Sequence, residues 1–79
     1  MSSYTAAKTL RMAKAGERVR VIKVAGEGAL RQRILDMGLT KGAEVVVRKV
    51  APFGDPLELT VRGYELTLRK REAACIVVE

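Results

Sequence analysis

Residues 57–70, LELTVRGYELTLRK, carry the clearest structural pattern in this 79-residue chain. Apolar and polar side chains alternate over residues 57–61, and the alternation resumes over residues 64–68. Strict alternation predicts strands that bury one face, and two such runs joined at a glycine predict a tight β-hairpin. Gly63 supplies the positive φ that the turn needs. The fold is therefore expected to be built on an antiparallel sheet.

Three further segments have the composition of strands. They are rich in β-branched residues, which favour a pleated, half-buried surface, and they read RVRVIKVAG from Arg18, AEVVVRKVA from Ala43 and AACIVVE from Ala73. The last segment is expected to place Cys75 inside a strand, with one face formed by Ala74, Ile76 and Val78. Five short strands leave exposed edges unless the sheet curls. The sequence therefore predicts a mainly β fold, a small SH3-like or OB-like five-stranded barrel with one short α-helix.

The α-helix is predicted from a change of period over residues 26–38, GEGALRQRILDMG. Its apolar residues Leu30, Ile34 and Met37 share one helical face. The other side is polar and consists of Arg31, Gln32, Arg33 and Asp36. Gly38 stands where a glycine ends a helix. A helix this short must pack on the rest of the protein, so we expect it to plug one open end of the barrel.

The length fits a single domain, which we place at residues 9–79 after a flexible N-terminus of residues 1–8. No apolar run approaches the roughly 20 residues that a membrane-spanning helix needs, so direct insertion into a membrane is not expected. The single cysteine cannot form an internal disulfide and fits a reducing compartment. We therefore predict a cytoplasmic protein.

Side chains that could carry out catalysis are scarce. The chain has no His, which removes the commonest general base near neutral pH. One Cys and no His cannot close a zinc site within one chain. Gly26 and Gly28 do not form a dinucleotide-binding fingerprint, because Arg31 occupies the position of its third glycine. We therefore predict no catalytic residue, no metal ligand and no cofactor.

The charge of the chain points to acidic partners. Fifteen Lys and Arg against nine Asp and Glu give a net charge of +6, which favours nucleic acid, an anionic membrane surface or an acidic protein surface. However, the aromatic residues are only two Tyr and one Phe, too few for the stacking platform on which small barrels bind single strands. Specific nucleic-acid binding is therefore not expected, although a basic nucleic-acid-binding or regulator-like barrel remains the alternative.

The connector APFGDP, residues 51–56, holds both prolines and the only Phe of the chain. The prolines restrict the backbone and the Gly-Asp pair indicates a turn, so the connector is expected at the barrel rim. Phe53 then either folds back into the core or is presented to a partner, and the pattern leaves both open. Because binding residues concentrate in loops and at helix ends, the predicted partner-binding residues are Pro52, Phe53, Asp55 and Pro56, with Arg31 and Arg33 on the helix.

Two segments resemble the ferrous iron transport protein A (FeoA) family. They are GEGALRQRILDMGLTKG from Gly26 and KVAPFGDPLELTVRGYELTLRKREAACIVVE from Lys49, which contain the elements A-P-x-G-D-P, V-R-G and L-R-x-x-E-A. These elements also occur in the order typical of the family, and the resemblance covers about residues 10–79. Lys41 departs from the Pro that the family often has before the glycine, which affects only a turn.

The resemblance implies an SH3-like barrel and a small accessory role in bacterial ferrous iron uptake. Its implied partner is the FeoB permease, through that protein's cytoplasmic GTP-binding domain, and the chain would reach the inner membrane only through this partner. The family is not one of enzymes. Weak self-association is a further alternative that the sequence leaves open.

Overall fold

A computed structural model describes residues 8–79, so most of the predicted flexible N-terminus lies outside the described residues. Two short 3₁₀ turns, Leu10–Met12 and Pro52–Gly54, accompany the regular elements. In chain order these elements are β1 (Arg18–Val24), α1 (Gly28–Asp36), β2 (Glu44–Val50), β3 (Leu57–Val61), β4 (Tyr64–Leu68), α2 (Lys70–Ala73) and β5 (Ile76–Val78).

The strands form one five-stranded sheet in the order β4-β3-β2-β1-β5, and every neighbouring pair is antiparallel. The register shifts between Val21 and Lys23 in β1 and between Val47 and Lys49 in β2. Such irregularities bend a strand and increase its twist. The sheet curls without closing, because its edge strands β4 and β5 do not pair with each other; α2 connects them along the chain. The predicted mainly β, barrel-like architecture is confirmed.

The predicted hairpin is confirmed as β3 and β4, with Val61 opposite Tyr64 and Leu57 opposite Leu68. Its turn has positive φ at both central positions, 51° at Arg62 and 89° at Gly63, as a two-residue hairpin turn requires. Positive φ is unusual for Arg. The guanidinium of Arg62 donates to the Gly38 carbonyl at 3.3 Å and to the Thr40 hydroxyl at 3.0 Å, which fixes the turn against the end of α1.

The core lies inside the curl of the sheet. Alternate residues of β3 are fully buried, which confirms the period-two pattern. Ile34 of α1 is also fully buried, while Leu30 and Met37 are partly buried and pack against the same cluster. The predicted apolar face of the helix therefore covers the core, with Ile34 at its centre.

The end of α1 is a Schellman motif. Gly38 has φ 94°, and its N–H donates to the Leu35 carbonyl at 3.0 Å, while the N–H of Leu39 donates to the Ile34 carbonyl at 3.4 Å. Leu39 is fully buried, which supplies the apolar contact that accompanies the motif. Gly38 thus ends the helix as predicted.

The prediction of the last strand was wrong at its beginning. Lys70–Ala73 form the short helix α2, and β5 comprises only Ile76–Val78. Cys75 lies in the turn between them rather than in a strand, and Ala74 is exposed and does not share a strand face with the buried Ile76 and Val78. The reason is the carboxylate of Glu72, which accepts the N–H of Arg69 at 2.8 Å. Such a bond from the third helical residue to the residue before the helix stabilises the first turn.

The outer edge of β5 is covered by the chain that precedes β1. Thr9 forms an isolated bridge with Val77, and the N–H of Val78 donates to the Lys8 carbonyl at 2.9 Å. The ammonium of Lys8 also donates to the Glu17 carboxylate, which accepts the N–H of Lys14 at 2.9 Å. These bonds favour the ionised carboxylate, so the pKa of Glu17 is lowered, first by the Lys8 side chain and then by the Lys14 N–H.

This lowered pKa predicts acid sensitivity at the N-terminal edge. A carboxyl whose pKa is lower in the folded state adds stability above its unfolded pKa, and this contribution is lost as pH falls through the folded value. Glu17→Gln should therefore lower the urea midpoint at pH 7, and the difference from the parent protein should shrink towards about pH 2, well below the ordinary Glu pKa of about 4.3. A difference that stays constant between these pH values would contradict the assignment.

Candidate functional site

Phe53 is the most exposed of the large apolar side chains in residues 8–79, with 94% of its surface accessible. It also has φ 69°, a left-handed conformation that is a genuine outlier for a bulky residue. Neither burial nor backbone preference therefore favours Phe at this position. Residues held in such unfavourable backbone conformations cluster at functional sites. Of the two orientations that the sequence left open, the structure has the outward one.

The loop that carries Phe53 is anchored on α2. The Asp55 carboxylate accepts the N–H of Lys70 at 3.0 Å and lies 3.8 Å from the Arg69 guanidinium. The Lys70 ammonium donates in turn to the Phe53 carbonyl at 3.3 Å. Within the loop, the N–H of Gly54 donates to the Ala51 carbonyl at 2.8 Å. Hydrogen bonds of both backbone and side-chain atoms thus hold the loop in place. Phe53 projects outward from this fixed loop.

The other predicted residues of this loop have different surroundings. Pro52 is exposed and begins the 3₁₀ turn next to Phe53. Pro56 is half-buried and directly precedes the buried Leu57 of β3. Asp55 is exposed but already bonded to α2. Pro52 and Phe53 therefore form the accessible part of this patch, while Asp55 holds it in place.

The two predicted arginines of α1 both have partners. Arg31 donates through Nε to the Val24 carbonyl at 3.2 Å. The Nη1 atom of Arg33 lies 3.3 Å from Oε2 of Glu72, whose side chain is 2% exposed, whereas the Arg33 side chain remains 65% exposed. Both arginines link α1 to neighbouring segments, and their binding of a partner remains a prediction.

Sequence reasoning missed Glu72, the only polar or charged residue that is buried within residues 8–79. Its two carboxylate oxygens have separate partners, the Arg69 N–H and the Arg33 guanidinium. Burial of a carboxylate is costly unless it is paired and hydrogen-bonded. Glu72 therefore joins α2 to α1, and the pattern of a Glu three residues after Arg69 is the signal that could have revealed it.

An open groove of about 510 Å³ lies beside the Phe53 loop. Sequence patterns did not predict this groove, because its lining comes from three separate parts of the chain: Arg11, Asp55 and residues 69–74. The first of them, Arg11, belongs to the turn Leu10–Met12, which contacts α2. The groove is lined by Arg11, Asp55, Arg69, Lys70, Arg71 and Ala74. This surface combines positive charge with a neighbouring exposed aromatic side chain.

The chemistry available at this surface is that of binding. Within residues 8–79, no three His, Cys, Asp or Glu side chains cluster where they could hold a metal ion. No helix in the same range is long and apolar enough to cross a bilayer. The surface offers an exposed aromatic side chain and several Arg side chains, and both residue types are enriched at protein interfaces.

The fold and this surface define a small SH3-like barrel domain with a fixed, exposed loop. Comparison with protein families matches residues 8–79 to the FeoA domain. The chain therefore belongs to the FeoA family, as the resemblance implied.

Similar proteins support this assignment. The chain is 38% identical over 64 residues to the Fe(2+) transport protein A/Fe(2+) transporter FeoB fusion protein of Porphyromonas gingivalis, a match that covers 81% of this chain and only 8% of that protein. The structure of the FeoA-like protein of Clostridium acetobutylicum is 41% identical, with a TM-score of 0.85, over 92% of this chain and 85% of that one. The zinc-bound FeoA of Stenotrophomonas maltophilia, described as a procaryotic SH3 domain protein, is 29% identical, with a TM-score of 0.78, over 92% and 91% of the two chains.

The exposure of Phe53 predicts that its side chain contributes little to folding. Phe53→Ala should change the free energy of unfolding by less than about 0.5 kcal/mol, as for other surface positions. The matched control is Leu57→Ala, which truncates a fully buried residue at the end of the same loop and should cost about 2–5 kcal/mol. Urea denaturation measures both. A loss of several kcal/mol in Phe53→Ala would place this side chain in the core and contradict the structure.

The ion pair of Glu72 predicts unequal roles for the two arginines of α1. Arg33→Ala leaves a buried carboxylate without its cation and should cost about 1–3 kcal/mol. Arg31→Ala, the matched control, removes a single bond to a backbone carbonyl and should cost about 0.5–1 kcal/mol. Adding Glu72→Gln to Arg33→Ala should recover part of the loss, because a neutral amide needs no cation. Equal losses of stability in Arg33→Ala and Arg31→Ala, with no recovery in the double variant, would contradict this role of the Arg33–Glu72 ion pair. Urea denaturation measures all three variants.

Proposed function

We propose that this chain acts in bacterial ferrous iron uptake as a cytoplasmic accessory of a FeoB-type permease. In this proposal it binds the cytoplasmic GTP-binding part of the permease and modulates the permease's assembly or activity. The observation that carries the proposal is the fusion protein of Porphyromonas gingivalis, in which a segment 38% identical to this chain shares a polypeptide with FeoB. A shared polypeptide keeps two modules at high effective concentration, which favours contact between them.

The contact surface in this proposal is the Phe53 loop. An aromatic side chain supplies a large contact area and is common among the residues that dominate binding energy. The bonds of the loop to Lys70 hold Phe53 in place before binding, so little conformational freedom would be lost on association. A partner that buries Phe53 would cover an apolar surface now 94% exposed.

The proposed role is one of binding rather than catalysis. The absence of His from the sequence supports it, since His is the usual acid or base near neutral pH. Association with the permease would bring the chain to the inner surface of the membrane without any insertion of its own. Ferrous iron is the cargo of the permease in this scheme, and the chain influences iron uptake through its partner.

The alternative is a nucleic-acid-binding or regulator-like barrel, motivated by the net charge of +6. The outer surface of the sheet favours the first proposal, because basic residues there alternate with acidic ones. Arg18 lies 3.8 Å from Glu44, and Arg48 lies 3.9 Å from Glu65. Binding along a nucleic-acid backbone requires a continuous row of basic side chains. On this face of the sheet, acidic side chains interrupt that row.

Calorimetry with the purified permease and with its cytoplasmic domains, each with and without guanine nucleotide, tests the proposal. The parent chain should bind, and Phe53→Ala should weaken binding about tenfold or more, as expected for a central aromatic residue. Tyr64→Ala is the matched control, since Tyr64 is 52% exposed at the opposite end of the hairpin from the loop, and it should bind like the parent. Absence of binding to the cytoplasmic domains and to the full-length permease would overturn the proposal.

A further inference from the structure

We propose that the groove between the Phe53 loop and α2 binds an acidic segment of the partner protein, with an apolar residue of that segment packed on Phe53. We call this surface the basic groove and define it by Arg11, Asp55, Arg69, Lys70, Arg71 and Ala74. The inference rests on the proposed function and gives the partner's contacting segment a chemistry.

The basic groove concentrates positive charge. Four of its six lining residues are Arg or Lys, against one Asp. Arg11 and Arg71 are exposed, and neither forms an ion pair with another residue of 8–79. These two guanidinium groups remain able to form the paired, charge-assisted hydrogen bonds that Arg makes with carboxylates. The ligand with the complementary charge is therefore anionic.

The backbone of the groove argues against a phosphate as that anion. Phosphate sites at the start of a helix use free backbone N–H groups. Here the N–H of Arg69 already donates to Glu72 and the N–H of Lys70 to Asp55. The exposed side chains of Arg11 and Arg71 offer donors that suit separate carboxylates.

An exposed aromatic side chain, Phe53, lies next to the groove, on the loop that contributes Asp55 to its lining. The Lys70 ammonium lies 3.3 Å from the backbone carbonyl of Phe53, so this loop residue adjoins the cations of the groove. A protein segment offers acidic and apolar side chains in succession, whereas a nucleic acid or a lipid surface presents phosphates. Charge steers such a segment to the surface, and the aromatic contact holds it there.

The test is a titration of the isotope-labelled full chain, monitored by the backbone amide signals in NMR spectra. The probes are a synthetic peptide of Asp and Glu with a central Leu, the same peptide with Asn and Gln, a single-stranded DNA oligonucleotide, and phosphatidylglycerol vesicles. The acidic peptide should shift the amide signals of residues 11, 53–55 and 69–74 saturably. The Asn and Gln peptide should not, and affinity should fall as salt screens the charges.

Charge reversal provides matched variants. Arg71→Glu should weaken peptide binding about tenfold, since it replaces an attraction by a repulsion inside the groove. Lys41→Glu changes the net charge equally at an exposed turn before β2 and should leave the affinity nearly unchanged. Equal effects of the two variants, no saturable shift with the acidic peptide, or a stronger response to DNA or vesicles would overturn the inference.

The inference and the proposed function can fail separately. If the permease domains bind Arg71→Glu as tightly as the parent, the basic groove is not the binding surface, although the proposed function stands. If the permease does not bind but the acidic peptide still occupies the groove, the proposed function fails while the chemistry of the groove is supported.

Discussion

The buried carboxylate of Glu72 is the constraint on which the functional surface depends. It accepts the N–H of Arg69, the residue before α2, and faces the Arg33 guanidinium of α1, so one side chain fixes two helices at the same end of the barrel. α2 is the connection between the edge strands β4 and β5. Its first residue in turn holds Asp55 and the carbonyl of Phe53. A chain of contacts thus leads from the core-facing helix to an exposed aromatic side chain.

The sequence predicted those parts of the fold that depend on neighbours along the chain. The hairpin followed from alternation, and the end of α1 followed from its glycine. α2 could not be predicted in the same way, because a helix of four residues is too short to show a period. Its existence depends on Glu72, whose partner Arg33 lies on a different element. The strand composition of the following residues therefore extended the predicted strand too far, to include Cys75.

The outward orientation of Phe53 could not be predicted from local sequence patterns either. The sequence placed it at the barrel rim, but its direction is set by the bond between Asp55 and Lys70, which are 15 residues apart. The basic groove depends on contacts between residues that are still farther apart in the sequence. The pairing of residues 8 and 9 with β5 brings Arg11 beside α2. Exposed residues that are positioned by distant contacts leave no periodic signal. The family resemblance supplied the functional class, and the three-dimensional arrangement supplied the candidate surface.

We propose that the Phe53 loop and α2 form one surface through which this FeoA-family chain binds its partner. Hydrogen–deuterium exchange of the chain, with and without the cytoplasmic part of a FeoB-type permease, tests it most directly. Binding should slow exchange in residues 51–56 and 69–75 and leave the outer face of β1 and β2 unchanged. Slower exchange confined to β1 and β2, with residues 51–56 unaffected in a saturated complex, would contradict it.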